Sequence, residues 1–97
     1  MENLILNYNG NKKINTECCI GQQSPKQVEI KLSFPKTEVC KVTVNSDVNE
    51  DSNLWKSIMD RFFLINDIHA DIEINDFGAK PSTILFKLLQ AMEVSCY

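Results

Sequence analysis

Glycine and proline are scarce in this chain, with three of each in 97 residues. That scarcity excludes a collagen-like repeat and leaves no Gly/Pro-rich linker that could divide the chain into separate domains. Long apolar runs are also missing. The longest is Phe62-Phe63-Leu64-Ile65, far too short to cross a bilayer, so membrane insertion is not expected. No block of five like charges occurs and the net charge is -3, which argues against a nucleic-acid footprint. Met1-Glu2-Asn3 lacks the basic start of a secretory signal, and Leu4-Ile5-Leu6 is too short for its apolar core. A cytoplasmic location is the expectation.

There is one histidine, His69, and the four cysteines (Cys18, Cys19, Cys40, Cys96) form no Cys-x-x-Cys pair. Tetrahedral zinc usually needs two close ligand pairs, so no metal site is expected. In a reducing compartment these cysteines are expected to be free thiols.

A hydrophobic content of 43% is enough for one modest core in a single domain spanning 1–97. Leu4, Leu6 and Tyr8 alternate with their neighbours, so residues 3–8 read as a strand. Asn9-Gly10-Asn11 is a turn signal. Residues 14–20 can be extended, and 21–26 read as an exposed polar loop. Val28, Ile30, Leu32 and Phe34 alternate with Glu29, Lys31 and Ser33, the pattern of a strand with one wet face. Pro35 ends it. Cys40, Val42 and Val44 then alternate with Lys41 and Thr43, and the short connection predicts an antiparallel hairpin of these two strands.

Asn49-Glu50-Asp51-Ser52 offers capping side chains and negative charge at a helix start. Leu54, Ile58, Phe62 and Ile65, with Trp55 and Met59, recur at helical spacing and predict a helix over 52–64. Ile72 and Ile74 mark a strand at 70–75. Ile84, Leu85, Leu88, Leu89 and Met92 form the stripe of a second helix over 81–93. Pro81 suits its first position, where the missing N–H has no intrahelical partner. The order β-β-β-α-β-α predicts an α+β two-layer sandwich: a mostly antiparallel sheet with both helices on one face. A split βαβ arrangement would set the strand at 70–75 beside an earlier one.

The turn Asn75–Pro81 has two readings. As architecture, Gly78 takes a positive φ, Phe77 plugs the layer between sheet and helix, and Pro81 starts the helix. As a site, the N–H groups of Ser82 and Thr83 at the helix start can bind an anion. Lys80 opposes the helix dipole there. His69 has no Ser or Cys partner nearby in sequence and reads as a boundary residue. Neither Cys18 nor Cys19 has an adjacent base to activate it. Asp47, Glu50 and Asp51 read as a solvated capping cluster. Trp55 and Phe62 read as core, and Phe63 as the aromatic best placed for an exposed contact. No nucleophile–base or paired-acid arrangement stands out, so no catalytic residue is assigned.

Several segments occur in a distinctive order: Val28-Glu29-Ile30; Val42 through Val48; a Trp55-containing helix ending Asp60-Arg61; Leu64-Ile65-Asn66; and Asp76-Phe77-Gly78-Ala79 with Pro81, leading into a helix with Gln90. Over 27–93 they resemble the acyl carrier (delta) subunit of bacterial malonate decarboxylase. The related carrier of citrate lyase is the alternative, and a carrier-like interaction module without a prosthetic group is another.

The resemblance implies a non-catalytic carrier. A serine hydroxyl would hold a covalently attached phosphoribosyl-dephospho-CoA arm whose thiol carries acetyl, then malonyl. The implied partners are the transferase and decarboxylase subunits of malonate decarboxylase and a cofactor transferase. A thioester carbonyl can accept the charge that decarboxylation releases, where free malonate stabilises it poorly. The family's attachment serine lies in a short glycine-rich loop before the strand at Val28. Ser24 is the only serine of the corresponding region, and Pro25 follows it where the family pattern has glycine. Ser24 is therefore the candidate attachment residue, by location. Lys80 stands where the family more often has threonine, and could meet a cofactor phosphate or an acidic partner surface.

Overall fold

The computed structural model describes residues 2–46 and 52–96. Five strands and two helices follow in the order β1 (Glu2–Tyr8), β2 (Cys18–Gly21), β3 (Val28–Ser33), β4 (Cys40–Ser46), α1 (Ser52–Ile65), β5 (Asp71–Asp76) and α2 (Pro81–Cys96). The capping cluster expected at Asn49–Asp51, with Asp47, lies outside the described residues. The fold is α+β, a single sheet in the order β1-β4-β5-β3-β2.

Each strand alternates, and the register stacks the apolar positions in rows. Leu6, Val42, Ile72, Leu32 and Cys18 fall in one row; Leu4, Val44, Ile74, Ile30 and Ile20 fall in the next. Both helices cover this face. Tyr8 of β1 stacks on Phe63 of α1, with ring centroids 4.3 Å apart. Across the sheet, the Cys18 thiol of β2 lies 3.4 Å from the Ala91 carbonyl oxygen of α2. Buried Trp55, Ile58, Met59 and Phe62 come down from α1, and Ile84, Leu88 and Ala91 from α2. Such burial is the main source of stability in a domain this small.

One expected pairing is overturned. The strands β3 and β4 do not form a hairpin, because β5 lies between them, antiparallel to β3 and parallel to β4. Parallel neighbours need a crossover, and α1 supplies it. The gain is that Ile72 and Ile74 are enclosed from both sides, at 2% and 0% exposure. The segment 34–39 then has to bridge two strand spacings, roughly 10 Å, which six residues span easily. This is the split arrangement the strand at 70–75 suggested.

Smaller differences have local causes. The stretch 14–20 is a strand only from Cys18, and that strand runs on to Gly21, so four strands and not the expected three precede α1. Phe34 falls beyond β3 and is exposed, as are Leu54, Ile65 and Leu89 at the margins of the two helical stripes. Phe63 is half-buried against Tyr8, and the exposed apolar residues at the end of α1 are Leu64 and Ile65. The second helix runs one turn past the predicted end at Glu93. Asn15 supplies the reason: its backbone N–H donates to the Ser95 carbonyl at 2.7 Å, and its side-chain amide donates to the Cys96 carbonyl at 3.0 Å. A remote segment thus satisfies carbonyls that would otherwise end the helix unpaired. No helix among the described residues is long and apolar enough to cross a membrane.

Candidate functional site

The loop 22–27 joins β2 to β3, and its shape begins at Gly21. That residue has φ 99, and a Cβ there would overlap the carbonyl oxygen of Val28. Only glycine allows this approach of the two strands. The Gln27 N–H then donates to the Ser24 carbonyl at 3.0 Å. Between them stand Pro25 and Lys26, the latter with φ 64. A proline followed by a positive φ makes this a type II turn. Ser24 is thus its first residue, half-buried, with exposed Pro25 and Lys26 after it. Its hydroxyl has no hydrogen-bond partner among the described residues.

The turn after β5 is braced from within. Asp76 is 1% exposed, and its Oδ1 accepts the N–H groups of Gly78 (3.1 Å) and Ala79 (3.0 Å). Ser46 of β4 donates its hydroxyl to the other carboxylate oxygen at 3.3 Å. Gly78 has φ 101, the conformation glycine tolerates best. The carbonyl of Lys80 accepts the Ile84 N–H at 3.0 Å, which makes Lys80 the N-cap and Pro81 the first helical residue. The Lys80 side chain is exposed and forms no ion pair among the described residues.

These two segments meet. The Lys26 N–H donates to the Phe77 carbonyl at 2.8 Å, and the Phe77 N–H donates to the Gln27 carbonyl at 2.9 Å. The loop carrying Ser24 and the turn carrying Lys80 therefore form one joined edge of the molecule, at the end of the sheet where β3 starts and β5 stops. Sequence reading singled out both segments and had no means of joining them.

The remaining sequence candidates are placed elsewhere. His69 pairs Nε2 with the Thr37 carbonyl at 2.9 Å, tying the connection before β4 to that before β5. The Ser95 hydroxyl lies 3.0 Å from the Cys18 sulfur. Burial pushes the Cys40 thiol up to about 11. Burial and the nearby Glu29 carboxylate raise that of Cys19. Neither is a poised nucleophile. All four cysteines are free, and among the described residues no cluster suits a metal ion.

Two features had no signal in the sequence. Asp76 falls within the turn Asn75–Pro81 that the sequence singles out, yet nothing in the sequence marks it as the buried brace of that turn. Glu29 reads as a wet-face residue, yet its Oε1 accepts hydrogen bonds from Gln23 of the serine loop and Asn75 of β5. Glu29 and Asn75 could have been paired only with the strand register in hand.

Residues 15–95 match the family model of the malonate decarboxylase delta subunit, an acyl carrier (ACP) family. The chain belongs to this family. Carrier membership of the malonate type also decides between the two related carriers that the sequence resembles. A search of curated proteins gave no match. Among solved structures, a chain of a Pseudomonas malonate decarboxylase hetero-tetramer, crystallised in complex with malonate, superposes with a TM-score of 0.88. The alignment covers 97% of this chain and 98% of that one at 23% identity. At that identity the likeness establishes a shared fold. In this chain the corresponding loop is a Ser-Pro-Lys turn docked on the Phe77 carbonyl.

Proposed function

We propose that the chain is the non-catalytic acyl carrier subunit of a malonate decarboxylase, with Ser24 as the attachment residue of its prosthetic arm. Family membership carries the general reading. The observation that supports Ser24 is its position: the first residue of a defined turn, with an unpartnered hydroxyl, on a loop tied to the rest of the fold at Phe77. A phosphodiester link needs a hydroxyl that a transferase can reach and no internal bond that it must break. Ser24 has no such internal bond among the described residues, and the half-buried residue stands between exposed Gln23 and Pro25. Exposed Lys26, two residues on, supplies a cation for a phosphate, and Lys80 on the adjoining turn is a second candidate.

The residues therefore fit a phosphoribosyl-dephospho-CoA arm. When attached, such an arm supplies a terminal thiol on which acyl groups travel as thioesters. The chain's own contribution is to present the serine on a loop anchored at both ends, so that a tethered group works at high effective concentration near partner subunits. The partners in this reading are the transferase and decarboxylase subunits, in the cytoplasm; the similar Pseudomonas chain belongs to a malonate decarboxylase hetero-tetramer.

Co-expression with a cognate cofactor transferase followed by intact mass measurement tests the reading. The expected result is a mass increase equal to the arm, lost in Ser24→Ala. An unchanged wild-type mass, or a Ser24→Ala chain that still gains mass, removes Ser24 from the role. Lys80→Ala is expected to slow transfer; unchanged transfer and partner turnover would leave Lys80 as a surface cation.

A further inference from the structure

The face of the sheet away from the helices carries a polar row that starts in the serine loop. Gln23, the residue before Ser24, donates its side-chain amide to Oε1 of Glu29 at 2.8 Å. Asn75 donates to the same oxygen at 3.1 Å from directly across the β3–β5 pair. The second N–H of Asn75 goes to Glu73 at 3.0 Å, and its oxygen accepts from Asn45 of β4 at 2.9 Å. Asn75 thus uses both donors and its acceptor, and its amide cannot flip without losing contacts. The Lys31 ammonium sits 3.6 Å from the same Glu29 oxygen. The Glu29 side chain is 13% exposed, against 44% for Lys31 and 47% for Glu73.

We infer that Glu29 is a positioning residue for the attachment loop. Its carboxylate joins the residue preceding Ser24 to the residue preceding Asp76, the brace of the adjoining turn. The serine then stands between two anchors. On its C-terminal side the Lys26 N–H is held by Phe77; on its N-terminal side the Gln23 side chain is held by Glu29. Backbone bonds alone fix the far side of the loop. Without the Gln23–Glu29 bond, the hydrogen bond that holds the segment leading into Ser24 among the described residues is the 3.2 Å one from the Gln22 N–H to the Val28 carbonyl. A hydrogen bond to a charged, shielded acceptor is among the stronger non-covalent ties available to a loop side chain. Its effect is to narrow the range of positions the serine offers to a modifying enzyme, which lowers the ordering cost of docking.

This inference rests on Ser24 as the attachment residue, and the test separates the two. Apo-protein variants are presented to the cofactor transferase, and amide hydrogen exchange is followed on the same apo chains. Glu29→Ala and Gln23→Ala are each expected to lower transfer efficiency by about fivefold to tenfold, the order of one charge-assisted hydrogen bond, mostly through KM for the carrier. The double variant is expected to lose no more than either single one, because both remove the same bond. Glu29→Gln keeps an acceptor oxygen and is expected to recover most of the efficiency.

The Gln27 amide is expected to exchange faster in both alanine variants, with those of Ile30 and Ile74 unchanged. Additive losses, or loop exchange that stays at the wild-type rate, would overturn the positioning role. If Ser24→Ala is still modified, the attachment reading fails. The exchange data on residues 22–27 then decide the Glu29 contact by themselves, with Gln23→Ala serving where Glu29→Ala does not fold.

Discussion

The backbone N–H of Lys26 donates to the carbonyl of Phe77 at 2.8 Å. This bond closes the loop between β2 and β3 onto the turn between β5 and α2. Elements separated by some fifty residues thereby share one edge.

Lys26 holds a positive φ of 64, a conformation that costs a side-chain-bearing residue about 1 kcal/mol relative to glycine. Lys26→Gly is therefore expected to leave stability unchanged or to raise it by up to about 1 kcal/mol, offset by the flexibility glycine adds to the unfolded chain. Urea denaturation reads the change. Slower cofactor transfer in this variant, with stability kept, would assign the lysine charge to the transfer step.

The brace at Asp76 carries more. Asp76→Ala strands the N–H groups of Gly78 and Ala79 around a buried position and removes the carboxylate contact to Ser46. A loss of about 2–3 kcal/mol is expected, the order of buried polar groups left unpaired. Gly78→Ala at φ 101 should cost about 1–2 kcal/mol from the left-handed backbone alone. Both are measured as shifts of the urea midpoint at constant slope. A change under about 0.5 kcal/mol for Asp76→Ala would contradict the brace.

Glu29 makes stability depend on pH. The Gln23 hydrogen bond, opposed by partial burial and assisted by Asn75 and Lys31, holds its carboxyl below its ordinary 4.5. A carboxylate with a depressed folded-state pKa contributes stability that is present above the unfolded value and lost as pH falls through the folded one. The urea midpoint is expected to drop as pH is lowered below about 4.5, and Glu29→Gln should flatten part of that slope. Parallel wild-type and variant curves would show that the contact is absent in solution.

Thiol labelling should distinguish the cysteines. Cys19 is exposed on the open face, while Cys40 and Cys96 are buried. With a disulfide reagent at mildly alkaline pH, Cys19 is expected to be the fastest-reacting thiol, and Cys19→Ser should abolish that phase. Cys40, with its thiol pushed up to about 11 and enclosed beneath the sheet, should react only on unfolding. Fast labelling of Cys40 would contradict its burial.

Much of this molecule is written in local pattern. The alternation at Val28–Leu32, Cys40–Val44 and Ile72–Ile74 determined strands, and each has its apolar positions on the core face. The stripes beginning at Leu54 and Ile84 determined helices, because 3.6-residue periodicity gathers those side chains on one side of a helix. Gly78 and Pro81 determined a strand-to-helix turn, since glycine tolerates a positive φ and proline's missing N–H suits the first position of a helix. The combination of such segments, more than any single one, carried the family. Tertiary structure decided what lies beyond the reach of local pattern. It placed β5 between β3 and β4, because enclosing Ile72 and Ile74 from both sides outweighs a short hairpin. It extended α2 by a turn, because Asn15 caps it from a distance. And it brought Ser24, Gln23, Glu29, Asn75 and Phe77 to one edge, since hydrogen bonds between residues far apart in the chain depend on register, which no single strand's sequence contains.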